Sequence, residues 1–203
     1  MNDRVNEESE ERVDPFVAAK KELRRINNHF NLRLREIQSG ENSNYSPLSL
    51  GRPGRVLLDC GMPDLPIEMA VTRLVDKKLQ KTHPFSLVAL VNMPEELHDP
   101  IMIFQSKTRG DSKAILTSLE HNAINILIAI ELNREKPDKQ FNSIRSVYPK
   151  DNFRDILRWI VEDGLLEYAH KEKALKWLGK QQSYSADVTR LLEGCVKVIQ
   201  NGD

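Results

Sequence analysis

The stretch IMIFQSKTRGDSKAILTSLEHNAINILIAIEL, Ile101 to Leu132, decides the fold. It contains three β-rich runs, Ile101–Ser106, Lys113–Ser118 and Ile124–Leu132. The polar links KTRGD and LEHNA between them are short enough for hairpins, so the runs predict an antiparallel meander. Upstream, SLVALVNMPEEL reads as a short helix closed by HDP. TRLVDKKLQKTH reads as another, with Leu74, Val75 and Leu79 on its buried face. RVLLDCG and PIEMAV read as short strands around a Gly-Met-Pro-Asp turn. Downstream, NREKPDKQFN reads as a polar loop leading to the strand SIRSVY. The segment DNFRDILRWIVEDG then predicts a helix capped by Asp151, with Phe153, Ile156, Leu157 and Ile160 on one face. LLEYAH adds a last strand and KEKALKWL a last short helix. Helices, then a meander, then helix and strand spell an α+β fold rather than a βαβ array: N-terminal helices, a small mainly antiparallel sheet and flanking helices.

Three regions follow from composition. Residues 1–50 comprise an acid-rich, disordered start, a helix from about Asp14 and a linker rich in Ser, Asn, Gly and Pro. In that helix Phe16, Val17, Leu23, Ile26, Phe30 and Leu34 stand near helical spacing. Residues 51–178 form the main domain. Residues 179–203 form a tail in which Val188, Leu191, Leu192, Cys195 and Ile199 share one helical face. That face must dock on the core or on a partner, and it offers a route to self-association.

Thirty Lys and Arg balance thirty Asp and Glu across 203 residues. A high-affinity, non-specific DNA binder needs a basic field, and this chain has none overall. A small local cationic site remains open. No apolar run approaches the ~20 residues that span a bilayer, and the acidic start is unlike a signal peptide. Cys60 and Cys195 are far apart and lack a partner motif, so they read as free thiols of a cytoplasmic protein. There is neither metal-ligand spacing nor a Gly-rich phosphate loop. The chemistry is therefore expected to be metal-free and cofactor-free.

The order GMPDLPIEM, KTHPFSLVALVNMPEELHDPIMIFQS, SKAILTSL, NSIRSVYPKDNF and GLLEYAHKEKALKWL resembles the phage-associated nuclease-like domains. These occur at the ends of MuF head-morphogenesis proteins and of large polyvalent proteins of phages and conjugative elements. They are grouped with the barnase–EndoU–colicin–RelE-like ribonuclease fold. The resemblance covers about Gly61 to Leu178. It implies a metal-independent RNA-cleaving site on the sheet, in an effector that needs a delivery route, such as a phage particle, or an inhibitor partner.

Such cleavage needs a base for the 2′-hydroxyl, donors for the charged phosphorane, and an acid for the leaving oxygen. His83, at a helix end before Pro84, is the candidate for either proton transfer; capping the helix is its alternative role. The resemblance places its Ser-x-Tyr pattern on Ser146 and Tyr148. By alternation these share one face of SIRSVY with Ile144, about 7 Å apart, whereas Arg145 points the other way. Tyr148 could equally be a half-buried structural aromatic. Ser106, Lys107 and Arg109, around the first hairpin link, are substrate-binding candidates, although such loops are often simply solvated. Trp159 and Trp177 read as core residues. The alternative function is a catalytically silent binding or structural module; an antitoxin or inhibitor of host defence is a third.

Overall fold

The computed structural model describes residues 15–40, 45–75 and 86–180. The chain opens with helix α1 (Pro15–Ser39), followed by β1 (Leu48–Ser49), α2 (Arg55–Asp59), β2 (Ile67–Met69) and α3 (Thr72–Val75). A 3-10 turn (Leu87–Leu90) and α4 (Met93–His98) lead into the meander. Its strands are β3 (Met102–Gln105), β4 (Ser112–His121), β5 (Ile124–Lys136) and β6 (Lys139–Pro149). Helix α5 (Phe153–Val161), β7 (Leu166–Ala169) and α6 (Lys171–Gly179) complete the described chain. One seven-stranded sheet runs β1-β2-β6-β5-β4-β3-β7, antiparallel throughout except for the parallel β2–β6 pair. This is the expected α+β class.

Alternation along the strands sorts apolar side chains onto two buried faces. On one face Ile103, Ile115, Ile128 and Ile130 join a core closed by α1, α2 and α4 through Phe30, Leu34, Leu57, Met93 and Leu97. On the other, Met102, Phe104, Leu116 and Leu127 pack under α5 and α6 through Phe153, Ile156, Ile160, Trp177 and Leu178. Trp159 stands edge-on to Phe104 at 5.5 Å and Trp177 lies 5.6 Å from Phe153, so both serve packing. Helix α1 is pinned as well as packed. Asn27 and Asn31 each donate a side-chain hydrogen bond to Asn92 Oδ1, at 2.9 and 2.8 Å, and the Asn92 backbone N–H donates to Asn31 Oδ1 at 2.9 Å.

Four local readings need correction. RVLLDCG is a helix: Gly61, at φ 75°, lets the chain turn back after Cys60. Met62 N–H then reaches Leu57 O and Gly61 N–H reaches Leu58 O, the pair of bonds that closes a helix. SLVALVNMPEEL is two pieces, because Asn92 adopts φ 68° and Pro94 starts a new helix instead of continuing the old one. The supposed loop NREKPDKQFN is the outer half of the β5–β6 hairpin, closed by Pro137 and Asp138 alone. Asn133 to Asp138 are all exposed, so neither face of that ribbon carries an apolar signature. The cap of α5 is Asn152, whose side chain accepts from Asp155 N–H at 3.3 Å, and Asp151 precedes it.

Candidate functional site

Helices α5 and α6 cover only part of their sheet face. Across β4, β5 and β6 that face carries three rows: Leu116–Leu127–Tyr148, then Ala114–Ala129–Ser146, then Ser112–Glu131–Ser143. The first row lies against the α5/α6 core. The second has small side chains, all partly exposed, and forms an open floor beside the covering helices. At its far edge stands Glu131, a carboxylate near the end of the apolar run of β5, its side chain only 4 % exposed.

Two breaks in register shape this edge. On β6, Ser146 pairs with Ala129 but Ile144 pairs with Ile130, so Arg145 is an extra residue. This bulge puts Ile144 and Val147 together against the α1/α4 core and leaves Ser146 with Tyr148 on the opposite face. Regular alternation had put Ile144 with Ser146 and Tyr148, and Arg145 across from them. The bulge reverses both assignments, and Arg145 Nε reaches Glu131 Oε1 at 3.0 Å. On β5, Glu131 pairs with Ser143 but Arg134 pairs with Phe141, with Asn133 at φ 49° in the irregularity. Residues three apart on a regular strand point to opposite faces. Here Arg134 Nε instead comes within 3.5 Å of Glu131 Oε2. Arg109 adds a third guanidinium from the β3–β4 loop through its bond to Glu131 Oε1. That loop is tethered by Gln105 Nε2 donating to Gly110 O at 2.8 Å.

The other substrate-binding candidates lie on the same loop. Lys107 Nζ is 2.7 Å from Asp163 Oδ1 and ties the loop to the end of α5; the Ser106 hydroxyl stands 3.5 Å from that of Thr108. Tyr148 is half-buried, and burial, with the negative charge of Asp155, pushes its pKa up. The phenol therefore stays protonated at neutral pH and can donate a hydrogen bond or a proton but cannot serve as a base. His83 lies outside the described residues.

The remaining described histidines stand elsewhere. The His98 ring packs on Gly54, so closely that a Cβ there would meet its Nδ1 at 2.6 Å. His121 sits at the β4–β5 turn beside Asn122, and His170 caps α6 with its Nδ1 accepting from Lys173 N–H at 3.5 Å. His29 is exposed on α1. Cys60 is no nucleophile, because burial raises its thiol pKa to about 11. Among the described residues no group of three His, Cys, Asp or Glu side chains could hold a metal ion, and no helix is long and apolar enough to cross a membrane.

Sequence reasoning selected Arg109, Ser146 and Tyr148 in this region, set Arg145 aside, and passed over Glu131 and Arg134. The available signal was the carboxylate within the apolar run INILIAIEL: a charge in a buried run requires partners.

A family model described as the phage MuF C-terminal domain matches residues 74–176, just over half the chain. That span contains the meander, Glu131, its three arginines, Ser146 and Tyr148, while α1, α2 and β2 precede it. No curated protein and no solved structure matches the chain. The chain belongs to the phage MuF C-terminal domain family.

Proposed function

We propose that this phage-associated domain is a metal-independent endoribonuclease of the barnase–EndoU–colicin–RelE-like kind, acting on its open sheet face. The observation that carries the reading is the placement of Ser146 and Tyr148. They are neighbours on that face, Tyr148 in the row packed against the helices and Ser146 on the open floor beside it, on a stretch of β6 that no strand pairs on its outer side among the described residues. Strand β2 pairs β6 only as far as Ile144 and then leads through α3 to Val75. The chain between Val75 and Ser86, which carries His83, lies outside the described residues.

In this reading His83 takes the 2′-hydroxyl proton and the 2′-oxygen attacks phosphorus. The Ser146 hydroxyl donates to a phosphoryl oxygen. As the P–O5′ bond breaks, Tyr148 supplies the proton to the leaving oxygen. The products are a 2′,3′-cyclic phosphate and a free 5′-hydroxyl, and no metal enters the reaction. Such an activity fits delivery with a phage particle or control by an inhibitor protein.

The test is incubation of the purified chain with total RNA in EDTA. Cleavage leaving cyclic-phosphate ends is expected. His83→Ala and Tyr148→Phe should each slow it by at least about 100-fold, the usual contribution of one proton-transfer group. Undiminished cleavage by both variants overturns the site.

A second reading, a silent binding or structural module, is favoured by the four described histidines, which all stand away from Ser146 and Tyr148. Complete inertness toward RNA, with no growth defect on expression, would select it.

A further inference from the structure

A regular β5–β6 ladder would scatter the arginines of this region. Arg134, three residues from Glu131, would point to the opposite face, and Arg145 would point away from Ser146. Each irregularity sacrifices regular ladder pairing, and bulges commonly serve to re-aim a side chain. Both bulges here turn an arginine toward the same carboxylate. Arg109 reaches it independently from the β3–β4 loop.

One carboxylate cannot neutralise three guanidiniums, so the cluster keeps an excess of two positive charges in a chain whose formal net charge is zero. The Glu131 side chain is 4 % exposed, whereas those of Arg109, Arg134 and Arg145 are 57, 51 and 42 % exposed. Each guanidinium has five N–H donors, and a carboxylate has about four acceptor positions. Most of the donors in the cluster are therefore left to face outward. Three like charges gathered at one edge, with their forks fixed from below by a buried anion, form a receptor for a second anion from solvent.

We propose that Arg109, Arg134 and Arg145 form a phosphate clamp for an RNA strand, with Glu131 as the positioning residue beneath it. The inference rests on the reading of RNA as substrate and deepens it. The clamp stands one cross-strand row from Ser146 and two from Tyr148, about 7 and 13 Å along the sheet by ordinary strand rise. It therefore grips a phosphate flanking the one that reacts. A clamp so placed acts on substrate binding, and its loss should raise KM more than it lowers kcat.

The test uses the full chain and 2′-O-methyl RNA oligonucleotides, which lack the attacking hydroxyl and cannot be cut. Affinity is read by fluorescence anisotropy over a range of salt, with a thermal melt for every variant. Arg109→Ala and Arg145→Ala should each weaken binding about tenfold. Each should also flatten the slope of log affinity against log salt by about 0.7, the single-strand value per phosphate contact. Arg145→Lys keeps the charge and so the slope, but loses affinity because a lysine has no fork. Glu131→Gln should likewise keep the slope and weaken binding, because the three forks are no longer held. If Glu131→Gln binds more tightly, the carboxylate merely repels anions and its positioning role is overturned; should that variant fail to fold, Arg145→Lys decides the geometric claim. Unchanged affinity and slope in an Arg109→Ala, Arg145→Ala double variant overturns the clamp while leaving Ser146 and Tyr148 untouched. No binding of any oligonucleotide by the wild-type chain overturns the RNA reading and the clamp with it.

Discussion

His98 leaves little room for a proton. Its ring is wedged against Gly54, and Nε2 is buried without a hydrogen-bond partner. Burial therefore holds its pKa below the ordinary 6.5, opposed by a backbone hydrogen bond with Arg52. The folded chain resists protonation here and the unfolded chain does not. This contribution to stability is complete above the unfolded pKa and is lost as pH falls through about 6.5, levelling off below the folded value. Urea melts at pH 7.5 and 5.5 should show lower stability at the acidic pH, with the difference reduced in His98→Gln. The pair of conditions stays above the carboxylate range, where Asp155, held low chiefly by its hydrogen bond from Lys150, adds its own acid sensitivity. An equal pH response in both chains would remove His98 as the cause. Tyr148 shows the same physics with the opposite outcome: burial keeps its proton on.

The hairpins show where local chemistry matches the fold and where it strains. The β4–β5 turn places Asn122 at φ 52° and Ala123 at φ 62°, the pair of left-handed residues that a two-residue hairpin requires. Asparagine tolerates this region; alanine pays about 1 kcal/mol for its Cβ. Ala123→Gly should recover much of that and raise the melting temperature by about 2–4 °C, as seen by calorimetry. No gain would mean that glycine's extra freedom in the unfolded chain cancels the relief. The three apolar runs of the meander and the periodic face of α5 are legible because burial writes itself as spacing. Helix α2 was not, because one turn of RVLLD fits either period and only the role of Gly61 separates them. The outer β5–β6 ribbon is exposed on both faces and leaves no apolar pattern at all. The bulges are silent for another reason. An inserted residue carries no mark of its own, so alternation counted through Arg145 or Asn133 places Ile144, Arg134 and Arg145 on the wrong sides. Ser146 and Tyr148 were paired correctly because no irregularity falls between them. The carboxylate that organises the arginines was visible only as an exception within an apolar strand.

For the whole molecule, the question is how much chain one such sheet needs. The family match begins at Leu74, yet nine of the 21 buried residues in the core that backs the site come earlier. Phe30 and Leu34 of α1, Leu57 of α2, and Ile67 and Met69 of β2 are all essentially inaccessible to solvent. Each such side chain contributes about 1.5–3 kcal/mol by leaving water, against a total stability of about 5–15 kcal/mol for an ordinary domain. Their loss would also expose Leu90, Met93 and Leu97 on one side and strip β6 of the β2 pairing at Asn142 to Ile144. Asn142 would lose two further acceptors, Pro63 O at 2.9 Å and Leu65 O at 3.2 Å, which its side-chain amide now reaches from a fully buried position. A fragment limited to residues 74–176 is therefore expected not to fold cooperatively. Its far-UV circular dichroism should lack a sharp thermal transition that the full chain shows, and its amide protons should exchange without protection. A sharp, reversible melt with well-dispersed amide resonances from that fragment would refute the claim. It would mean that α1, α2 and β2 decorate a sheet able to stand without them. Since β6 holds Arg145, Ser146 and Tyr148, the segments before the family match are expected to be as necessary to the candidate site as the residues that line it.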